Sequence, residues 1–215
     1  MGYRDLWQRL VDVGRISARW WLVIVLFFPV FNLLVAAVAV VLGFTATPLE
    51  GASLQRLVDP GGMALLVGVA VVVPFVEEVG LRGYWFDQLQ ARWSALVSSV
   101  ILGVVWAAWH APLVYVTGYF AETTFQPELR WWLPSLVLLA IIGTWVYNNT
   151  HRSVLALVSF HAVGNLAGET MGFSAAMYPY VHLGTAAVAL LVVCWGPESF
   201  RGWGDPKPAV DRGVR

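Results

Sequence analysis

The chain has 215 residues, of which 59% are hydrophobic and 12% charged, with no net charge at pH 7, and its mean hydropathy is +0.69. This balance excludes an ordinary soluble domain and points to a one-domain integral membrane protein. Zero net charge without a basic stripe offers nothing to nucleic acid, and the single cysteine, Cys194, excludes an intramolecular disulfide framework or a cysteine-based metal cluster.

Residues 1–19 read as a cytoplasmic amphipathic segment. Within 3–16, Leu6, Leu10 and Val13 recur at helical spacing with Trp7 alongside, while Arg4, Arg9 and Asp12 fall elsewhere on the wheel, as in a helix lying on the inner leaflet. The apolar run that follows is too long for a signal-peptide core and lacks a small-residue cleavage site, so the segment reads as uncleaved. Leu6 stands where a myristoylation motif wants Ser or Thr. Six apolar segments follow, at about 20–43, 62–90, 94–117, 131–147, 153–172 and 177–195, each near the roughly 20 residues that cross a bilayer. They predict an all-α polytopic bundle over 20–196 with a cytoplasmic tail at 197–215. Orientation follows from the basic residues. With Arg82 set aside as intramembrane, ten lie at the termini and alternate connections, against only Arg56 and Arg130 on the other side, which places both termini in the cytoplasm. Twelve Arg against the single Lys207 hint at a GC-rich bacterial genome and a bacterial cell membrane.

Three spans carry polar residues that cost free energy in lipid, and such residues normally face a bundle interior or an aqueous cavity. In the second span Glu78 and Arg82 are four apart, share a helix face and can pair. Glu77 is rotated by about a hundred degrees and gains no such partner. An isolated carboxylate among apolar side chains favours its protonated form and is suited to taking a proton from water. The third span sets Trp106 and His110 four apart, with Pro112 as a break. The fifth sets His161 and Asn165 four apart, with Glu169 continuing the face. Each patch alone has a bland reading, as a packed histidine, an interhelical asparagine or a structural ion pair. Three independent spans carrying such residues for unrelated reasons is the harder account. His151 and His182 read as interface residues.

Glu77, Glu78 and Arg82 form an EExxxR pattern, Trp106 to His110 an aromatic-xxx-His pattern, and His161 to Asn165 an HxxxN pattern, in that order on successive polar-bearing spans. This resembles the CPBP intramembrane proteases, the CAAX prenyl protease type II or abortive-infection family, over roughly residues 62–172. Many relatives have Phe at the position of Trp106, and Glu169 is not part of the pattern. The resemblance implies an intramembrane endopeptidase acting on a peptide or membrane-protein substrate. Glu77 would be the general base, His110 would help hold the water, and His161 and Asn165 would polarise the scissile carbonyl. Glu78 and Arg82 would be the supporting pair, with Trp106 an aromatic wall. Glu77, His110 and His161 are also the three residue types of a catalytic zinc site, with Glu78 then free to act as base. No HExxH pattern places two histidines one turn apart, and glutamate-activated water without a metal cofactor is the preferred reading.

Counting about 1.5 Å per residue from the expected cytoplasmic ends puts His161 shallower than Glu77 and His110, which a single site must reconcile. Two other classes compete with the enzyme. One is a non-catalytic immunity or partner-binding membrane protein of the same fold. The other is a proton-coupled transporter, against which the sequence offers no pair of related halves. The substrate and oligomeric state are not written in the sequence.

Overall fold

The computed structural model describes residues 2–51, 58–118, 120, 128–196 and 200; apart from Phe200, the expected tail at 197–215 lies outside the described residues. A short helix α1 (Tyr3–Val11) precedes α2 (Ala18–Val41). The 31-residue α3 (Pro60–Gln90) follows, then α4 (Ala95–His110), α5 (Leu129–Asn149), α6 (Val154–Met171) and α7 (Tyr178–Trp195). Helices α2 to α7, with the tight turns that extend α4 to Tyr115 and begin α7 at Ala175, are all long and apolar enough to cross a membrane. Among the described residues there is no strand beyond one bridge between Leu49 and Phe173.

Local chemistry sets the boundaries. Asp59 caps α3 by accepting from the backbone N–H groups of Gly61 and Gly62, with Pro60 at the first position, where its missing donor costs nothing. The hydroxyls of Ser94 and Ser153 cap α4 and α6 in the same way. Pro112 has no N–H with which to continue the ladder, and the chain tightens into a 3-10 turn over Ala111–Tyr115.

The distribution of apolar side chains fits lipid outside and protein inside. Leu22, Leu33, Val41, Trp109 and Leu190 are all more than half exposed, while Ile24, Phe86, Leu102, Ile142, Tyr147 and Leu157 are buried at the helix contacts. Lipid offers no hydrophobic drive between helices, so close approach depends on small residues. The tightest case is α4 against α5, where a Cβ added at Gly103 would lie 2.7 Å from the Val137 Cα. Backbone cannot swing aside. Gly103→Ala is therefore expected to destabilise the bundle by about 1 to 3 kcal/mol, read as a lower unfolding midpoint in detergent.

Helix α1 has the expected amphipathic character, but one of its polar residues is placed differently. It ends at Val11, and Arg9 does not join a polar face in the headgroups but is 1% exposed. Its Nη1 donates to Asp87 Oδ2 at 2.8 Å and to the Tyr147 hydroxyl at 2.5 Å, and Nη2 donates to the Gly83 carbonyl at 2.6 Å. Arg152 forks onto the same carboxylate, with Nε 3.0 Å from Oδ1 and Nη2 on Oδ2. Beside this cluster the Gln90 and Asn148 side-chain amides pair with each other. The cluster fastens α1, the end of α3 and the α5–α6 turn to one another.

That fastening resolves the depth mismatch. Glu78 lies nine residues before Asp87 and His161 nine residues after Arg152, so both stand roughly 13.5 Å from the shared ion pair at 1.5 Å per residue. The long α3 simply runs past the level at which α6 begins.

Candidate active site

Helix α3 contributes two consecutive carboxylates with different surroundings. Glu78 is 1% exposed, and Arg82, one turn on, places Nη1 2.8 Å from both of its oxygens. The expected pair is present. His161 of α6 joins it, with Nδ1 3.0 Å from Glu78 Oε1. A carboxylate only accepts, so the hydrogen sits on Nδ1, and Nε2 is the nitrogen left for the cavity that His161 lines. The Arg82 guanidinium fits because α5 has Gly143 beside it, where an added Cβ would lie 3.1 Å from Nη2.

Glu77 is not isolated, contrary to the reading from spacing. The Trp106 indole Nε1–H donates to its Oε2 at 2.8 Å, and His110 Nε2 stands 3.6 Å from its Oε1. Trp106 is therefore a hydrogen-bond donor as well as an aromatic wall; helical spacing showed its face but not its partner on another helix. His110 Nδ1 is 2.8 Å from the Trp106 carbonyl, which can only accept, so in the neutral ring Nε2 carries the lone pair. At 3.6 Å, Nε2 and Oε1 are too far apart for a direct hydrogen bond and well spaced for a bridging water. Both imidazoles pack edge-on to the same indole, with ring centroids 5.5 Å (His110) and 5.6 Å (His161) from it.

Asn165 makes an interhelical bond in place of an open donor. Its Nδ2 donates to the Val69 carbonyl at 2.6 Å. The reason lies in a π-helical turn, Gly68–Val72, in which the Val73 N–H bonds to the Gly68 carbonyl. In that register the Val69 carbonyl would accept from residue 74, which is Pro74 and has no N–H. Asn165 fills the vacancy and keeps a second N–H. Asn165→Leu is expected to cost about 1 to 3 kcal/mol by orphaning that carbonyl. In a Pro74→Ala background, where the chain itself can supply a donor, the cost should shrink, and a double-mutant cycle on detergent unfolding curves measures the difference.

These residues line one cavity of about 500 Å³, walled by all six long helices, α2 to α7. Glu77, Glu78, Arg82, Trp106, His110, His161 and Asn165 all border it, as does the buried Glu169. The structure thus brings every expected site residue to one space. Gathering Glu77, His110 and His161 around one ion is another matter. Among the described residues no three His, Cys, Asp or Glu side chains are placed to hold a metal, and both histidines are packed against the Trp106 ring. The donor types themselves are those of a zinc site. His182 bonds to a neighbouring helix, its Nδ1 2.9 Å from the Ser135 hydroxyl. Asn32 of α2, 6% exposed, also lines the cavity and escaped the sequence reading, because a single amide in an apolar run has no spacing partner.

Comparison with known proteins now meets the geometry. Residues 59–167 match the family model described as type II CAAX prenyl endopeptidase Rce1-like. The chain belongs to that family. The match begins at the α3 cap and ends just after Asn165, so it contains the carboxylate pair, Trp106, both site histidines and Asn165. The chain is also similar to CAAX prenyl protease 2 of Methanococcus maripaludis, at 28% identity over 155 residues that cover 68% of this chain and 57% of that protein. The matched stretch thus spans little more than half the length of this relative.

Proposed function

We propose that the chain is an intramembrane endopeptidase that cleaves a peptide or a membrane-protein segment with a water activated by Glu77. The observation that carries this reading is the meeting of Glu77 Oε1 and His110 Nε2, two acceptors 3.6 Å apart on a membrane cavity. A water donating a hydrogen to each turns its lone pair outward. As that oxygen attacks the carbonyl carbon, Glu77 takes the proton, held in place by the Trp106 N–H at its other oxygen. The carbonyl π electrons move onto oxygen. That oxyanion accepts from Nε2–H of protonated His161 and from the second N–H of Asn165, an arrangement in which one donor is worth about 2.7 to 4 kcal/mol. Glu78 supports the imidazolium through Nδ1–H, and Arg82 pairs with Glu78 and holds it in place. Glu77 then returns its proton to the leaving amine as the C–N bond breaks.

The charge bias supports a cytoplasmic side for both termini and for the Asp87–Arg152 cluster. The name of the Methanococcus maripaludis relative, CAAX prenyl protease 2, makes a prenylated C-terminal peptide one substrate class to test. The test is cleavage of a quenched-fluorescence peptide pool, including prenylated C-terminal peptides, by detergent-purified protein with and without a zinc chelator. Cleavage that survives the chelator and is lost in His110→Ala and His161→Ala supports the reading. Cleavage undiminished in either variant overturns its assignment, and activity abolished by chelator overturns the metal-free route.

A further inference from the structure

A substrate that is to be cut inside a membrane must be extended at the cut, and its main-chain N–H and C=O groups then leave both water and their own helix. In lipid each such group needs a partner. Most polar groups on the cavity wall are already committed. Ser135 and Thr185 donate to the Trp131 and Val181 carbonyls one turn back on their own helices, and Asn165 donates one N–H to Val69. Glu77 and His110 face each other, and Glu78 holds Arg82 and His161.

Asn32 is different. The residue is 6% exposed and lines the cavity, yet its side chain has no hydrogen bond to any described residue. Its neighbours show room for a chain. Phe28, one turn earlier on α2, packs so closely on α6 that a Cβ at Gly164 would lie 2.9 Å from its ring. Spans one and five run in the same direction, so one turn further on the two helices come Asn32 and Gly168, both on the cavity wall. A Cβ added at Gly168 would meet no atom of the described residues within 4 Å. A carboxamide carries one acceptor and a donor pair, the complement of a peptide group.

We propose that Asn32 is a substrate-binding residue whose carboxamide hydrogen-bonds the main chain of the extended peptide in the space beside Gly168. The inference rests on the peptidase reading above and lies outside the stretch, residues 59–167, that carries the family match. Because the contact is made equally in the bound substrate and at the transition state, its loss raises KM and leaves kcat in place.

The experiment compares wild type, Asn32→Leu and Gly168→Leu on the best-cleaved member of the quenched peptide pool, with unfolding midpoints measured in the same detergent. Asn32→Leu is expected to raise KM about tenfold, the worth of one to two neutral hydrogen bonds, with kcat within about twofold and an unfolding midpoint equal to or above wild type. Gly168→Leu, which fills the space, is expected to raise KM as well. An unchanged KM in Asn32→Leu overturns the inference. So does a lower midpoint or failure to fold, since that would make Asn32 a structural residue. Absence of cleavage by wild type overturns the peptidase reading and the inference with it, whereas wild-type cleavage indifferent to Asn32→Leu overturns the inference alone.

Discussion

Glu77→Gln is expected to lower kcat by about 10² to 10⁴-fold, the range of a lost general base, while leaving the fold and substrate binding in place. The substitution is unusually clean here. The Gln carbonyl oxygen can accept from Trp106 Nε1–H as Oε2 does now, and the new NH₂ can face the His110 Nε2 lone pair that stands 3.6 Å from Oε1. What is lost is the capacity to take a proton. The measurement is kcat and KM on a cleaved peptide beside the unfolding midpoint. A fall in kcat at constant KM and constant midpoint assigns proton abstraction to Glu77. Retained cleavage would overturn that assignment and require another group to take the proton, and a fallen midpoint would show that Glu77 is needed to hold Trp106.

The sequence made the bundle legible because lipid imposes a strong rule. An unbroken apolar run of roughly 20 residues satisfies its backbone in hydrocarbon as a helix, so six apolar runs became six helices with ends shifted by a few residues. The site was legible for a related reason. Polar residues are costly in a span, and those at four-residue spacing reveal their common face, which was enough to bring Glu78, Arg82, Trp106, His110, His161 and Asn165 to one cavity. Partners on other helices have no such signature. The Trp106 bond to Glu77 joins positions 29 residues apart, and His161 and Glu78 are separated by 83. Asp87 was passed over because it sits near a span end, where an acid looks solvated, yet two arginines and Tyr147 converge on it. Pro74 did carry a readable signal. A proline inside a span always frees a carbonyl one turn back, and asking which side chain fills it leads to Asn165.

Arg82→Met tests whether the buried pair serves the fold, the chemistry or both. Removing the guanidinium leaves Glu78 charged in a site that is 1% exposed, and breaking a buried pair from one side costs about 3 to 5 kcal/mol. The expected result is a large fall in unfolding midpoint and little surviving activity. Adding Glu78→Gln removes the orphaned charge. The Gln carbonyl still accepts from His161 Nδ1–H, and methionine occupies much of the space beside Gly143, so most of the lost stability should return in the double variant. Activity should not return with it. Without a carboxylate at Nδ1, the protonated imidazole that stabilises the oxyanion loses its counter-charge, and kcat should stay at least about tenfold below wild type. Recovery of stability without recovery of kcat would show that the Glu78–Arg82 pair is retained for His161. Recovery of both would reduce it to packing, and recovery of neither would mean that the guanidinium is needed against Trp106, over whose ring it lies at 5.6 Å.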